Sequence, residues 1–167
     1  MATMYFLVTS PLYRQFDAMW ELEWAFGEDA KVKRTPYPGV ILVTVPMERD
    51  AALEAIRAYE TTAIHRAIPL DEMIPTDKGR IIEQGFEMAR ERIAEGEAFA
   101  VRCKRRGNKV SSSKDIEREL GARIVDELGA VVNLDYPKKI VKVEILGNRT
   151  GISVITPDEI IDKDVLE

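Results

Sequence analysis

Between Phe99 and Lys114 the chain reads FAVRCKRRGNKVSSSK, with six cations (Arg102, Lys104, Arg105, Arg106, Lys109 and Lys114) and no carboxylate, in a protein of formal net charge -5. Strand alternation puts Phe99, Val101 and Cys103 on one side and Arg102, Lys104 and Arg106 on the other. Alternate residues of a strand lie about 7 Å apart, a spacing suited to successive phosphates of a nucleic-acid strand. The serines Ser111, Ser112 and Ser113 then open a helix, whose free N–H groups and partial positive charge can seat a phosphate. Asp115 and Glu117 offset part of that charge. The chemistry available here is anion binding, and two readings fit it: a nucleic-acid surface, or a solvated basic face at a subunit contact.

Other reactive groups are sparse. One cysteine and one histidine exclude an internal disulfide, a CxxC pair, an HExxH helix and the zinc-deaminase signature. GNKVSSSK lacks the second Gly and the Gly-Lys-Ser/Thr ending of a P-loop, and no GxGxxG follows a strand. Cys103 reads as a small core residue, and His65 as structural or surface. Trp20 and Trp24, one helical turn apart, read as core packing rather than base stacking. Glu21 and Glu23 read as a solvated face without the context for acid/base work. No catalytic residue, metal ligand or cofactor is expected from these patterns.

The charge is unevenly distributed. Residues 1–98 hold eleven Lys/Arg against seventeen Asp/Glu, residues 99–149 twelve against seven, and residues 150–167 one against five. The basic middle points to a localised anion-binding surface. The composition is that of a globular protein, the N-terminus has no basic leader, and no apolar run is long enough to span a membrane. A cytoplasmic protein with no membrane partner is expected.

The elements that position these residues can be read from periodicity. MYFLVT is a strand. Ser10-Pro11 then opens a helix with Leu12, Phe16, Met19 and Trp20 on one face, ending at Gly27. KVKRT and VILVTV are strands, ERDAALEAIRAYE a helix and AIHRAIPL a strand, the β-α-β-β-α-β order of a ferredoxin-like unit over residues 1–70. A short boundary follows near Pro69–Asp77. A second helix-strand-helix pattern places Ile82, Phe86, Ala89 and Ile93 on one helix, and Ile116, Leu120, Ile124 and Leu128 on another. Ser112 and Asp115 match a capping box, and Gly129 is placed to end the helix. KKIVKVEIL and GISVIT are strands joined by a tight hairpin at GNRTG.

The order helix, FAVRCKRRGN, serine-led helix, VVNLDYPKKIVKVEI, GISVI resembles a THUMP domain. The matching positions are Arg102 to Arg106, Ser111 to Ser113, Val132, Leu134, Pro137 and Val141 to Ile145. Where family members often carry an aromatic or His, this chain has Asn108-Lys109-Val110. The resemblance covers about residues 70–156 and implies an α/β (α+β) fold: a ferredoxin-like unit (1–70) packed on a THUMP domain (71–156), with an acidic C-terminal tail (157–167).

THUMP proteins act on tRNA, engaging the acceptor stem and 3′ end while a separate domain performs the modification. The resemblance therefore implies tRNA as partner and Arg102, Lys104, Arg105, Arg106, Asn108, Lys109, Ser111, Ser112, Ser113 and Lys114 as the RNA-binding set. The chain has no room for a Rossmann methyltransferase and lacks an SGGxDS-type motif. It looks most like the stand-alone THUMP adaptor of tRNA cytidine N4-acetylation, a noncatalytic protein with an acetyltransferase partner. The alternative is an RNA-binding subunit of, or small enzyme in, another tRNA modification, methylation or thiolation.

Overall fold

The structure, a computed structural model, describes residues 2–166. In chain order it has β1 (Met4–Thr9), a 3-10 turn (Leu12–Arg14), α1 (Gln15–Phe26), β2 (Lys31–Arg34), β3 (Val40–Val45), α2 (Arg49–Ala58) and β4 (Arg66–Leu70). Then come β5 (Glu72–Pro75), α3 (Lys78–Arg92), β6 (Ala98–Arg106), α4 (Ser113–Leu128), β7 (Val131–Val132), β8 (Lys139–Leu146), β9 (Arg149–Ile155) and β10 (Ile161–Asp162). These elements form two compact units, the first running to Asp71 and resuming at Asp158, the second Glu72–Pro157.

The first unit is built on an antiparallel sheet in the order β10-β4-β1-β3-β2. Its four early strands have the ferredoxin-like arrangement expected from the β-α-β-β-α-β order. Met4, Phe6 and Val8 alternate to one face of β1, where they pack with Ala18, Leu22 and Phe26 of α1 and Ala52, Leu53 and Ile56 of α2. Each such fully buried aliphatic or aromatic side chain contributes about 1.5–3 kcal/mol.

Two expectations need correction here. The core face of α1 is Ala18, Leu22 and Phe26, with Met19 of the expected face packed partly buried beside it, whereas Leu12, Phe16, Trp20 and Trp24 are exposed. The helix has two stripes of period four; the smaller residues fit against the sheet, and the larger ones face solvent. Second, the C-terminal segment is not a solvated tail, because β10 pairs with β4 and Ile161 joins the core. The boundary expected near Pro69–Asp77 falls between Asp71 and Glu72, where β4, ending at Leu70, gives way to β5 of the other sheet.

The second unit has the sheet order β5-β9-β8-β6-β7. β6 is parallel to both β7 and β8, whereas β8 and β9 form the expected antiparallel hairpin around Gly147 and Asn148. Phe99 and Val101 of β6 and Val141, Val143 and Ile145 of β8 pack against Ile116, Leu120 and Ile124 of α4. On α3, Ile81 rather than Ile82 takes the fully buried position beside Phe86 and Ala89, with Ile82 only partly buried. Among the described residues no helix is long and apolar enough to cross a membrane.

Candidate nucleic-acid interface

β6 delivers the basic stretch to the start of α4. Its N-terminal half is buried because β8 flanks it throughout and α4 covers one face; past Val101 it emerges, and Lys104 and Arg105 are exposed. Cys103 packs against the same core as Phe99 and Val101, so the two-faced alternation holds. α4 begins as the capping box predicts: Ser112 Oγ accepts the Asp115 N–H at 3.2 Å, and Gly129 closes the helix in the left-handed conformation, φ 69°. Ser111 and Asn108 are exposed, and Ser113, the first helical residue, is half-buried.

The six cations do not form one row of free charges. Arg106, 15% exposed, donates to Glu144 Oε2 at 3.0 Å, and Glu144 is only 2% exposed with Lys142 at 3.5 Å from its other oxygen. Removing one partner of a buried pair commonly costs about 3–5 kcal/mol, because the charge left behind is desolvated. Arg106 is therefore a structural tie, contrary to its expected place in an exposed row. Arg102 Nη2 donates to the Leu134 carbonyl at 3.1 Å, fastening the segment after β7. Arg105 Nη1 donates to the carbonyls of Val110 and Ser111 at 2.9 and 2.7 Å, holding the loop between β6 and α4 against its own strand.

Lys104, Lys109 and Lys114 are exposed and make no ion pair among the described residues. The division follows head-group chemistry: the planar guanidinium suits fixed, forked contacts to carbonyls and carboxylates, and the lysine ammonium is a mobile point charge. Arginines shape the junction, and lysines give it its available charge.

A cavity of about 390 Å³ opens beside the start of α4, lined by Lys114, Glu117, Arg118, Val132 and Leu134 among others. Arg118 was not among the residues expected from the sequence; it stands one turn after Lys114 on α4, a signal the i,i+4 spacing contains. It is exposed and pairs with Asp115 at 3.2 Å. Leu134, an exposed apolar residue in this lining, was expected only as part of a motif. The arrangement can hold an anionic, partly apolar chain. Among the described residues, no group of three or more His, Cys, Asp or Glu is placed to hold a metal ion.

Comparison with known proteins supports this region as a recognised domain. The family profile described as THUMP domain matches residues 76–155. An uncharacterised protein of Methanocaldococcus jannaschii, MJ0421, is 36% identical over 123 residues, covering 74% of this chain and 32% of that protein. The tRNA sulfurtransferase of Erwinia tasmaniensis is 41% identical over 105 residues, 60% of this chain and 22% of that enzyme. This chain thus spans a third or less of these relatives. A 4-thiouridine synthetase, solved as an RNA complex with bound ATP, superposes with a TM-score of 0.68 at 16% identity, covering 98% of this chain and 42% of that one. That likeness extends the shared fold to the ferredoxin-like unit as well. Residues 76–155, with the basic junction near their centre, are a THUMP domain.

Proposed function

We propose that this chain is the tRNA-binding part of a tRNA-modification system, and that the chemistry is performed by a catalytic centre outside it. The observation carrying this reading is the set of exposed, unpaired lysines, Lys104, Lys109 and Lys114, held around the β6–α4 junction by arginine ties inside the THUMP domain. The family resemblance makes the acceptor stem and 3′ end the part of tRNA engaged. Similarity to tRNA sulfurtransferases supports thiolation as the reaction class. The cytidine N4-acetylation expected from the sequence draws no support from these relatives, so the alternative reading is the better one.

Two measurements test the proposal. tRNA affinity is titrated at several salt concentrations; if about four phosphates are engaged, log affinity falls against log salt with a slope of roughly -3 to -4. Lys104→Glu should weaken binding and flatten the slope by about one unit, with an unchanged melting temperature. Arg106→Ala should instead lose stability, by about 2–3 kcal/mol because Lys142 still faces Glu144. Wild-type binding by Lys104→Glu would remove the junction from the interface. Nucleoside mass spectrometry of tRNA from cells lacking the protein then identifies the reaction: loss of 4-thiouridine is the expected result, and selective loss of N4-acetylcytidine would restore the acetylation reading.

A further inference from the structure

The outer face of α1 carries an apolar stripe that the core does not use. Leu12, in the turn before the helix, and Phe16, Trp20 and Trp24 recur every fourth residue and are 65–75% exposed. Four large side chains in line are unlike the scattered apolar residues of an ordinary surface, and contiguous patches of this kind mark interaction sites. Arg34 of β2 lies over the Phe16 ring at 5.4 Å. Alongside the stripe is a cavity of about 400 Å³ lined by Arg14, Asp17, Trp20, Glu21, Trp24 and Tyr59 among others.

Three rings and the Glu21 carboxylate in one cavity are elements that recognise a cation, through ring faces and opposite charge; the second carboxylate, Asp17, is already paired with Arg14. Arg14 also faces the cavity, but it is already engaged by Asp17 at 3.0 Å and Thr62 Oγ1 at 2.9 Å. Glu21 accepts from the Thr62 and Ala63 N–H groups and the Thr62 hydroxyl and has no cation hydrogen-bonded to it among the described residues; Lys163, which acts on it electrostatically, is itself held by the Tyr59 carbonyl at 2.8 Å. The helix itself reinforces the sign, while the basic strand β2 beside it places its charge at the Phe16 end of the stripe. Residues 12–30 contain one cation, Arg14, against Asp17, Glu21, Glu23, Glu28 and Asp29. Glu23, Glu28 and Asp29 cluster at the C-terminal, negative end of α1, whose last turn has no basic residue.

We propose that the outer face of α1 docks a protein segment that is apolar and positively charged, its apolar side chains on the Phe16–Trp20–Trp24 stripe and one Lys or Arg in the Trp20–Trp24–Tyr59 cavity. Charge decides between this occupant and the others an aromatic face could take. An RNA strand would bring its phosphates against an acidic helix. A second copy of this chain, in a two-fold contact, would lay the same acidic patch against itself. A basic, apolar segment relieves the negative helix end and covers the rings together.

The only two tryptophans in the sequence both lie on this stripe, so intrinsic fluorescence of the full chain reports the site directly. The probe is a synthetic amphipathic helix of leucine and arginine, run beside its leucine–glutamate counterpart and a single-stranded oligouridylate. The expected result is a saturable blue shift with the arginine peptide alone, weakened roughly tenfold or more in Trp24→Ala, which retains Trp20 as reporter and melts like wild type. Equal affinity in Trp24→Ala would mean the peptide binds elsewhere and would overturn the proposal. So would a shift produced only by oligouridylate, which makes the stripe a base-stacking platform. A shift that appears with protein concentration alone assigns the face to a second copy and overturns it equally.

Discussion

Cys103 sits between Arg102 and Lys104, a sequence neighbourhood that would activate a thiol if the cations faced it. In the strand they leave on the opposite side, and the thiol packs with the core. Burial first, then the nearby charges of Glu117 and Glu144, push its pKa up to about 12, with Lys142 acting weakly the other way. The consequence for stability has a definite sign. Above about pH 9 the unfolded thiol has lost its proton while the native one keeps it, so the native state binds more protons. Stability from this group is complete below pH 9 and is lost as pH rises toward 12. Denaturant unfolding at roughly pH 8 and pH 10.5 should therefore show a smaller loss for Cys103→Ser than for wild type, at a starting cost of about 1 kcal/mol. Equal losses would mean the thiol titrates normally. The face of each β6 residue was legible because a strand's period is two. Which cations are already spoken for was not, since Glu144 and Leu134 come from distant segments and Arg105 turns back onto backbone carbonyls of its own loop.

Helices show the same limit at the next scale. α4 was legible almost throughout: of its expected stripe Ile116, Leu120 and Ile124 are fully buried and Leu128 partly so, and its cap and stop residues act as their types suggest. α1 was not, because it carries two apolar stripes and periodicity alone favours the bulkier one. α3 and α4 add a contact that needs three dimensions to see. A Cβ placed on Gly85 of α3 would lie 2.7 Å from Leu120 Cδ2, and Leu120 is fully buried, so it has little room to yield. Gly→Ala in a helix gains about 1 kcal/mol from backbone propensity, whereas overpacking a core costs about 1–3 kcal/mol. The clash should win at Gly85, giving a net loss of about 1 kcal/mol. At Gly121 of α4 nothing lies within 4 Å of an added Cβ, so Gly121→Ala should stabilise by about 0.5–1 kcal/mol. Opposite signs in chemical denaturation would establish Gly85 as the close-approach point; stabilisation by both would show that the helices can part.

Over the whole chain, charge and connectivity assign the C-terminal segment to the first unit. That unit, with the segment from Asp158 included, holds eight Lys/Arg against fifteen Asp/Glu, and the second unit sixteen against fourteen. The acidic end thus belongs to the acidic unit. Its return was illegible because β10 is two residues long and pairs with a strand nearly a hundred positions earlier. Among the contacts that hold it are Ile161 buried in the core, the Lys163 and Leu166 N–H groups donating to the carbonyls of His65 and Thr62 at 2.8 Å each, the Arg66–Asp162 pair at 2.8 Å, and Arg49 bridging Glu159 and Asp71. Burial disfavours the Arg49 charge, but the two carboxylates outweigh it and raise its pKa, so the bridge persists at any neutral pH. Ending the chain at Pro157 should cost the first unit about 3 kcal/mol, some 2 from Ile161 and the rest from the lost strand and Arg49 bonds. Hydrogen exchange of the β4 amides should accelerate in step, and Ile161→Ala in the full-length chain should reproduce most of the loss, about 2 kcal/mol. If truncation leaves both the melt and β4 protection unchanged, the segment is a solvated tail after all, and the strand order of the first sheet ends at β4.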